Sequence, residues 1–130
     1  MERRLYQRVF TKARSNFIVI DNPPGLREFG GVIDDVSENG IKISVSDPGC
    51  AHIISNINVE SKIAFQAIDE YEVNGEVHAE VFSGEAKVIR IDKDKENVII
   101  GCKVVEATKE FDEYVKNRKM ALFIKRGYFL

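Results

Sequence analysis

Tryptophan is absent from this 130-residue chain, cysteine occurs only twice, and proline three times. Without tryptophan, a groove for single-stranded nucleic acid would have to stack its bases on tyrosine and phenylalanine. Most of the eight phenylalanines fall at core-like positions, so that reading is weak. Cys50 and Cys102 lack CxxC spacing, which excludes the common zinc and thiol-redox motifs. Two small buried or half-buried thiols in a reducing cytoplasm are expected instead. The prolines (Pro23, Pro24 and Pro48) all stand in turn clusters. No apolar run approaches the roughly 20 residues of a membrane span. Charge within the first four residues argues against a signal peptide. Phosphate-loop, HExxH and GxSxG patterns are missing. His78-Ala79-Glu80 matches the opening of a zinc-deaminase signature, but no P-C-x-x-C follows, and His52 has no evident metal or nucleophilic partner. The expectation is a protein that is not an enzyme and carries neither metal nor cofactor.

What is present describes an ordinary globule of one domain: 44% hydrophobic and 31% charged residues, with a net charge of −2. The charge is unevenly spread. Residues 1–14 hold Arg3, Arg4, Arg8, Lys12 and Arg14 against Glu2, a net +4 that leaves −6 for the remainder. A cationic arm on an acidic body suggests a local anion site rather than general affinity for DNA or RNA. A solvated terminal tail would look the same.

Short alternating runs follow. Phe17–Ile20, Phe29–Val36, Ile41–Val45, Lys62–Ile68, Val77–Ile91 and Val98–Val105 read as strands, the fifth interrupted near Ser83-Gly84. Asn74-Gly75 suits a tight hairpin because both central positions need positive φ. Residues 50–61 read as a loop with room for one helical turn, and 92–97 as a polar turn. After Ala107 the period changes: Phe111, Tyr114, Val115 and Leu122 recur at helical spacing over 109–123. Acids lead and bases trail, complementing the helix dipole. Five to seven strands with regular turns predict a mainly β fold, a small antiparallel barrel or sandwich, with the helix packed over it. The terminal Tyr128-Phe129-Leu130 is apolar enough to tuck into the core or to meet a partner chain.

Two patterns carry chemistry. Arg4-Leu5-Tyr6-Gln7-Arg8 spaces two guanidiniums four residues apart, and Asp35-Val36-Ser37-Glu38-Asn39-Gly40 places a carboxylate, a hydroxyl and a glycine between two strands. Guanine presents O6 and N7 to a guanidinium fork and N–H donors to a carboxylate such as Asp35, while phosphates attract the same arginines. Ser37 can add a hydroxyl bond, and Gly40 lets a ligand approach the backbone closely. Taken alone, each pattern has a plainer reading. Asp-x-Ser-x-x-Gly is commonly a turn in which the glycine takes positive φ. Arg90 follows Val88 on a strand and could point toward the same mouth, but, like Lys103 and Arg14, it reads more simply as a surface cation.

In order and interval, the two patterns resemble those of the PilZ domains, an RxxxR before the first strand and a (D/N)xSxxG between the next two. Arg4 and Arg8, then Asp35, Ser37 and Gly40, match without departure, and the similarity runs through Ile99–Val104 to the helix. The resemblance implies a six-stranded antiparallel barrel with a C-terminal helix, and a site for the second messenger cyclic di-GMP. It implies a single domain over 1–130: a flexible basic arm over 1–10, the barrel over 11–106, and the helix and tail over 107–130. Arg4 and Arg8 would grip guanine and phosphate, while Asp35 and Ser37 read the second base. Arg3, just before the motif, would admit an intercalated pair of ligands, unless it is merely solvated. Such a chain would be a cytoplasmic receptor without membrane insertion. It would signal to an unidentified effector of motility or exopolysaccharide machinery, with the C-terminal helix available for homo-oligomer contacts. A PilZ-like adaptor without nucleotide is the nearest rival.

Overall fold

The computed structural model describes residues 9–20, 27–46, 57–94 and 97–125. Arg3, Arg4, Arg8, Cys50, His52 and the Tyr128-Phe129-Leu130 terminus lie outside them. Six strands are described: β1 (Val9–Val19), β2 (Arg27–Ser37), β3 (Gly40–Val45), β4 (Lys62–Val73), β5 (Glu76–Asp94) and β6 (Asn97–Ala107). All pair antiparallel and close in the order β1-β2-β3-β6-β5-β4, with β1 joining β4 to complete the ring. One helix, α1 (Lys109–Lys125), follows. A mainly β barrel of six antiparallel strands with a C-terminal helix is thus the architecture.

Several strands run longer than their apolar alternation suggests. β1 begins at Val9, eight residues ahead of Phe17, because its inward positions include the small polar Thr11 and Ser15, both buried. Thr11 satisfies its hydroxyl by donating to the Ile33 carbonyl at 2.7 Å, and Ser15 donates to the Ala13 carbonyl at 2.9 Å. A buried hydroxyl with a partner can hold a core position that hydropathy alone would not assign. β5 passes unbroken through Ser83-Gly84, where the missing side chain is needed. A Cβ on Gly84 would lie 2.8 Å from both the Glu106 carbonyl oxygen and Phe65 Cζ. At the β4–β5 hairpin, Asn74 and Gly75 take φ of 51° and 84°, as their pairing predicts.

The core is the barrel interior, filled by Phe17, Ile33, Ile43, Ile63, Val88 and Ile100 among others. Helix α1 covers it with Phe111, Tyr114 and Val115, all buried. Phe82 stacks on Tyr114 at 3.9 Å between centroids, and Phe65 meets Phe111 edge-on at 5.7 Å. The helix start is fixed by Thr108, whose hydroxyl accepts from the Phe111 N–H at 3.1 Å and donates to the Ser83 carbonyl at 2.8 Å. Acidic Glu110 and Asp112 lie in its first turn and Lys125 in its last.

Candidate functional site

Strand alternation would turn both Ile33 and Asp35 toward the core, which a carboxylate could not tolerate unpaired. A register shift at Asp34 prevents this. Ile33 opposes Ile43 on β3, but the next pairs are Asp35 with Lys42 and Val36 with Ile41. The extra residue reverses the phase, so Ile33 and Val36 are buried in the core and Asp35 shares the outer face with Lys42. On its other side Asp35 pairs with Phe10 of β1, which is 80% exposed. Asp34, the bulged residue, accepts a hydrogen bond from the Ser44 hydroxyl.

A second bulge stands three strands away. Val88 pairs with Cys102, both buried, and Arg90 then pairs with Gly101, leaving Ile89 as the additional residue. Ile89 and Arg90 are therefore both exposed. Lys42 pairs with Gly101 in turn. The cross-strand partners Phe10, Asp35, Lys42, Gly101 and Arg90 thus form one continuous row over five strands of the outer face.

Along that row lies an open cavity of about 260 Å³, bounded by Asp35, Gly40 and Lys42 on one side and by Ile89 and Arg90 on the other. Gly101 is its floor; a Cβ there would sit 3.7 Å from Arg90 Cβ and 3.9 Å from its Nε, so the arginine side chain lies along the glycine. Arg90 Nε also contacts Asp92 at 3.0 Å, with both side chains about 60% exposed. Among the described residues, Asp35 is the buried acid at this cavity, only 5% exposed although it faces outward.

The adjacent row holds Ser37, Gly40, Lys103, Lys87 and Lys62 as successive cross-strand partners. Three lysines directly opposite one another repel. Glu60 offsets part of this through Lys87 at 2.7 Å. Ser37 is buried and reaches Asn39 Oδ1 at 3.3 Å, and the Asn39 carbonyl accepts from the Val104 N–H at 2.9 Å, fixing the turn to β6. Gly40 does not adopt positive φ; among the described residues only Glu60, Asn74 and Gly75 do. A Cβ on Gly40 would stand 3.4 Å from the Cys102 carbonyl oxygen and from Ser37 Oγ, so the turn itself does not demand glycine.

Helix α1 reaches both sides of this region. Arg118 donates through its terminal nitrogen to the Phe10 carbonyl at 2.9 Å, and Lys119 pairs with Glu38 of the β2–β3 turn. The Arg118 Nε lies 3.3 Å from Asp69 Oδ2, an ion-pair distance, without the alignment for a hydrogen bond. That oxygen instead takes the Tyr114 hydroxyl at 2.6 Å. Burial, and then this bond to Asp69, push the Tyr114 phenol well above its ordinary value. Tyr71 is raised too, first by burial and then by its bond to Glu80, and its ring lies 4.4 Å beneath the Arg118 guanidinium.

The structure therefore places Asp35, Ser37 and Gly40 together at one turn, while Arg3, Arg4 and Arg8 fall outside the described residues. Lys42, Ile89 and Gly101 also line the cavity and carried no sequence signal, because which residues of β3, β5 and β6 stand beside Asp35 depends on strand register. Arg90, a surface cation by sequence, lines the cavity. His78 stacks on Tyr71 at the β4–β5 hairpin, at 5.7 Å, and no metal-ligating cluster occurs among the described residues.

No family model and no curated protein matches the chain by sequence. Solved structures do match. The PilZ domain with c-di-GMP of YcgR from Escherichia coli aligns over 98% of this chain and 100% of its own, at a TM-score of 0.59 and 14% identity. The Bacillus subtilis inhibitor of motility MotI/DgrA gives 0.68 and 17% over 97% of this chain, and the K. pneumonia MrkH–c-di-GMP complex 0.61 and 10% over 98%. The chain spans about half the length of these last two, 54% of each. At such identities the likeness is one of architecture, and that architecture is the PilZ-domain barrel.

Proposed function

We propose that this protein is a non-catalytic, cytoplasmic receptor for cyclic di-GMP. The observation that carries the reading is the bulge at Asp34, which turns Asp35 outward beside Phe10, one residue pair from where β1 begins at Val9. In the sequence Arg8 immediately precedes Val9, the first residue of β1. The arginine arm thus joins the barrel next to the Asp35–Gly40 turn. Arg4 and Arg8 grip guanine and phosphate, with Asp35 and Ser37 accepting from and donating to the second base, and Gly40 leaving room for close approach. The lysine row Lys103, Lys87 and Lys62 adds a positive field that an anionic ligand relieves. Two of the similar structures are complexes with this nucleotide, which supports the same ligand class here.

Ligand binding neutralises the arm and orders it against the outer face. Arg118 on the Phe10 carbonyl and Lys119 on Glu38 connect the two halves of the site to α1, so the ordered state reaches the helix and whatever effector docks there. Arg3 adds a third cation and admits a second, intercalated ligand. An effector in motility control is the class that the MotI/DgrA likeness suggests.

Calorimetric titration with cyclic di-GMP tests the reading. Arg8→Ala and Asp35→Ala should each abolish or strongly weaken binding, and saturation at two ligands per chain is expected. No binding by the unaltered protein, or affinity untouched by both substitutions, overturns it. Equal binding of unrelated oligonucleotides would favour a nucleic-acid surface instead.

A further inference from the structure

The cavity between Asp35 and Arg90 is too small for a whole dinucleotide. Its volume of about 260 Å³ falls below the roughly 300–1,000 Å³ of pockets that enclose a drug-sized ligand. It suits one planar group. Its walls differ in chemistry. On β2 stands a buried carboxylate, an acceptor. On β5 stands a guanidinium, a fork of donors, beside the exposed apolar Ile89. Between them the floor is stripped to Gly101, with Lys42 alongside.

Neither wall arises from plain alternation. Each follows a bulge, at Asp34 and at Ile89, and both bulges flank the same cross-strand row. Bulges serve to re-aim side chains next to binding sites. Asp35 and Arg90 are three strand spacings apart, roughly 14 Å along the sheet. Two side chains reaching inward leave a gap that one purine with a hydrogen bond at each end can fill.

We propose that Arg90 is a base-reading residue that takes O6 and N7 of the guanine whose N–H edge Asp35 accepts, while Ile89 packs against its face. This deepens the receptor reading above and rests on it. The two-sided arrangement selects guanine over adenine, because adenine presents an N6 amino donor to Arg90 where guanine presents an acceptor. Asp92 holds the guanidinium at the rim.

Arg90 is exposed, so its replacement leaves the fold intact, which a thermal unfolding curve checks. Titrations of the unaltered protein, Arg90→Ala and Arg90→Lys with cyclic di-GMP and with cyclic di-AMP then decide the matter. Arg90→Ala should lose at least fivefold in affinity for cyclic di-GMP and narrow the preference over cyclic di-AMP. Arg90→Lys should restore little, because an ammonium cannot make the fork. Two results would overturn the assignment: Arg90→Ala binding like the unaltered protein, or Arg90→Lys recovering full affinity and preference, which would reduce Arg90 to a point charge. Failure of the unaltered protein to bind cyclic di-GMP would instead remove the receptor reading itself.

Discussion

Gly40 separates two explanations of the Asp-x-Ser-x-x-Gly pattern that the same sequence supports. If glycine is there to make the turn, Gly40→Ala should destabilise the protein. If it is there to admit a ligand, stability should hold and binding should fall. The backbone at Gly40 has no positive φ, and an added Cβ would meet its nearest neighbours at 3.4 Å, the tight end of ordinary contact. Replacing a strand glycine of compatible conformation by alanine gains roughly 0.4–1 kcal/mol, mostly through the unfolded chain. The expected change in stability therefore runs from nothing to about 1 kcal/mol in favour of the variant. For a chain of this size that is a rise of up to roughly 4 °C in Tm. Gly40, however, lines the cavity beside Asp35, where a methyl group would compete with a ligand for room. Overfilling a close-packed contact costs about 1–3 kcal/mol, a loss of roughly five- to a hundredfold in affinity. Circular dichroism melts paired with cyclic di-GMP calorimetry give both numbers on one sample. A variant that melts 5 °C lower while binding normally would show that Gly40 serves the turn alone, and the reasoning would be refuted.

Three further outcomes follow from the packing. Arg118→Ala removes the cation beside buried Asp69 and should cost about 3–5 kcal/mol, read as a denaturant midpoint shift; Asp69→Asn in the same chain should recover part of it. Gly84→Ala drives a Cβ to within 2.8 Å of backbone and of a buried ring, so a loss of about 1–3 kcal/mol is expected, and an unchanged melt would contradict the tight β5–β6 approach. Burial pushes the Cys102 thiol up to about 12. Its unfolded form ionises near the ordinary value of 9, so the unfolded chain sheds a proton that the native one keeps, and stability is lost as pH rises between these values. In a Cys50→Ser background, native Cys102 should resist a thiol reagent at pH 8 and react on unfolding; rapid native labelling would contradict its burial.

The mainly β class, the Asn74-Gly75 hairpin and the helix were legible because each rests on a local period or a local φ requirement, whereas closure into a barrel rather than a sandwich came from the PilZ resemblance. Phe111, Tyr114 and Val115 announce a buried helical face by spacing alone. What stayed hidden depends on partners distant in sequence. Thr11 is a core residue because the Ile33 carbonyl accepts its hydroxyl, so the strand-like run read from the sequence began only at Phe17. Gly84 looked like an interruption because its reason is Phe65 and Glu106 on neighbouring strands. The cavity is the extreme case. Asp35 appears in a readable motif, but its outward direction comes from a bulge, and Arg90 joins it only because a second bulge brings β5 into the same phase.

That dependence on register has a consequence for how such a site can vary. A one-residue slip in a strand exchanges its two faces, so each bulge acts as a switch on everything downstream of it. Straightening the bulge with every residue kept would carry Arg90 toward the core and bring Ile91, now packed against the core, outward. The barrel could not accept that unpaired guanidinium without large loss of stability. The residues that hold the bulges are thus constrained by the fold, while the side chains they display, Ile89 and Arg90 above all, are free of it. An exposed pair with no packing duty, held in place by a distortion of the strand, is where selection for ligand chemistry can act without disturbing the core. Variation in specificity at this face should therefore fall mainly on β5, opposite the acceptor that Asp35 supplies on β2.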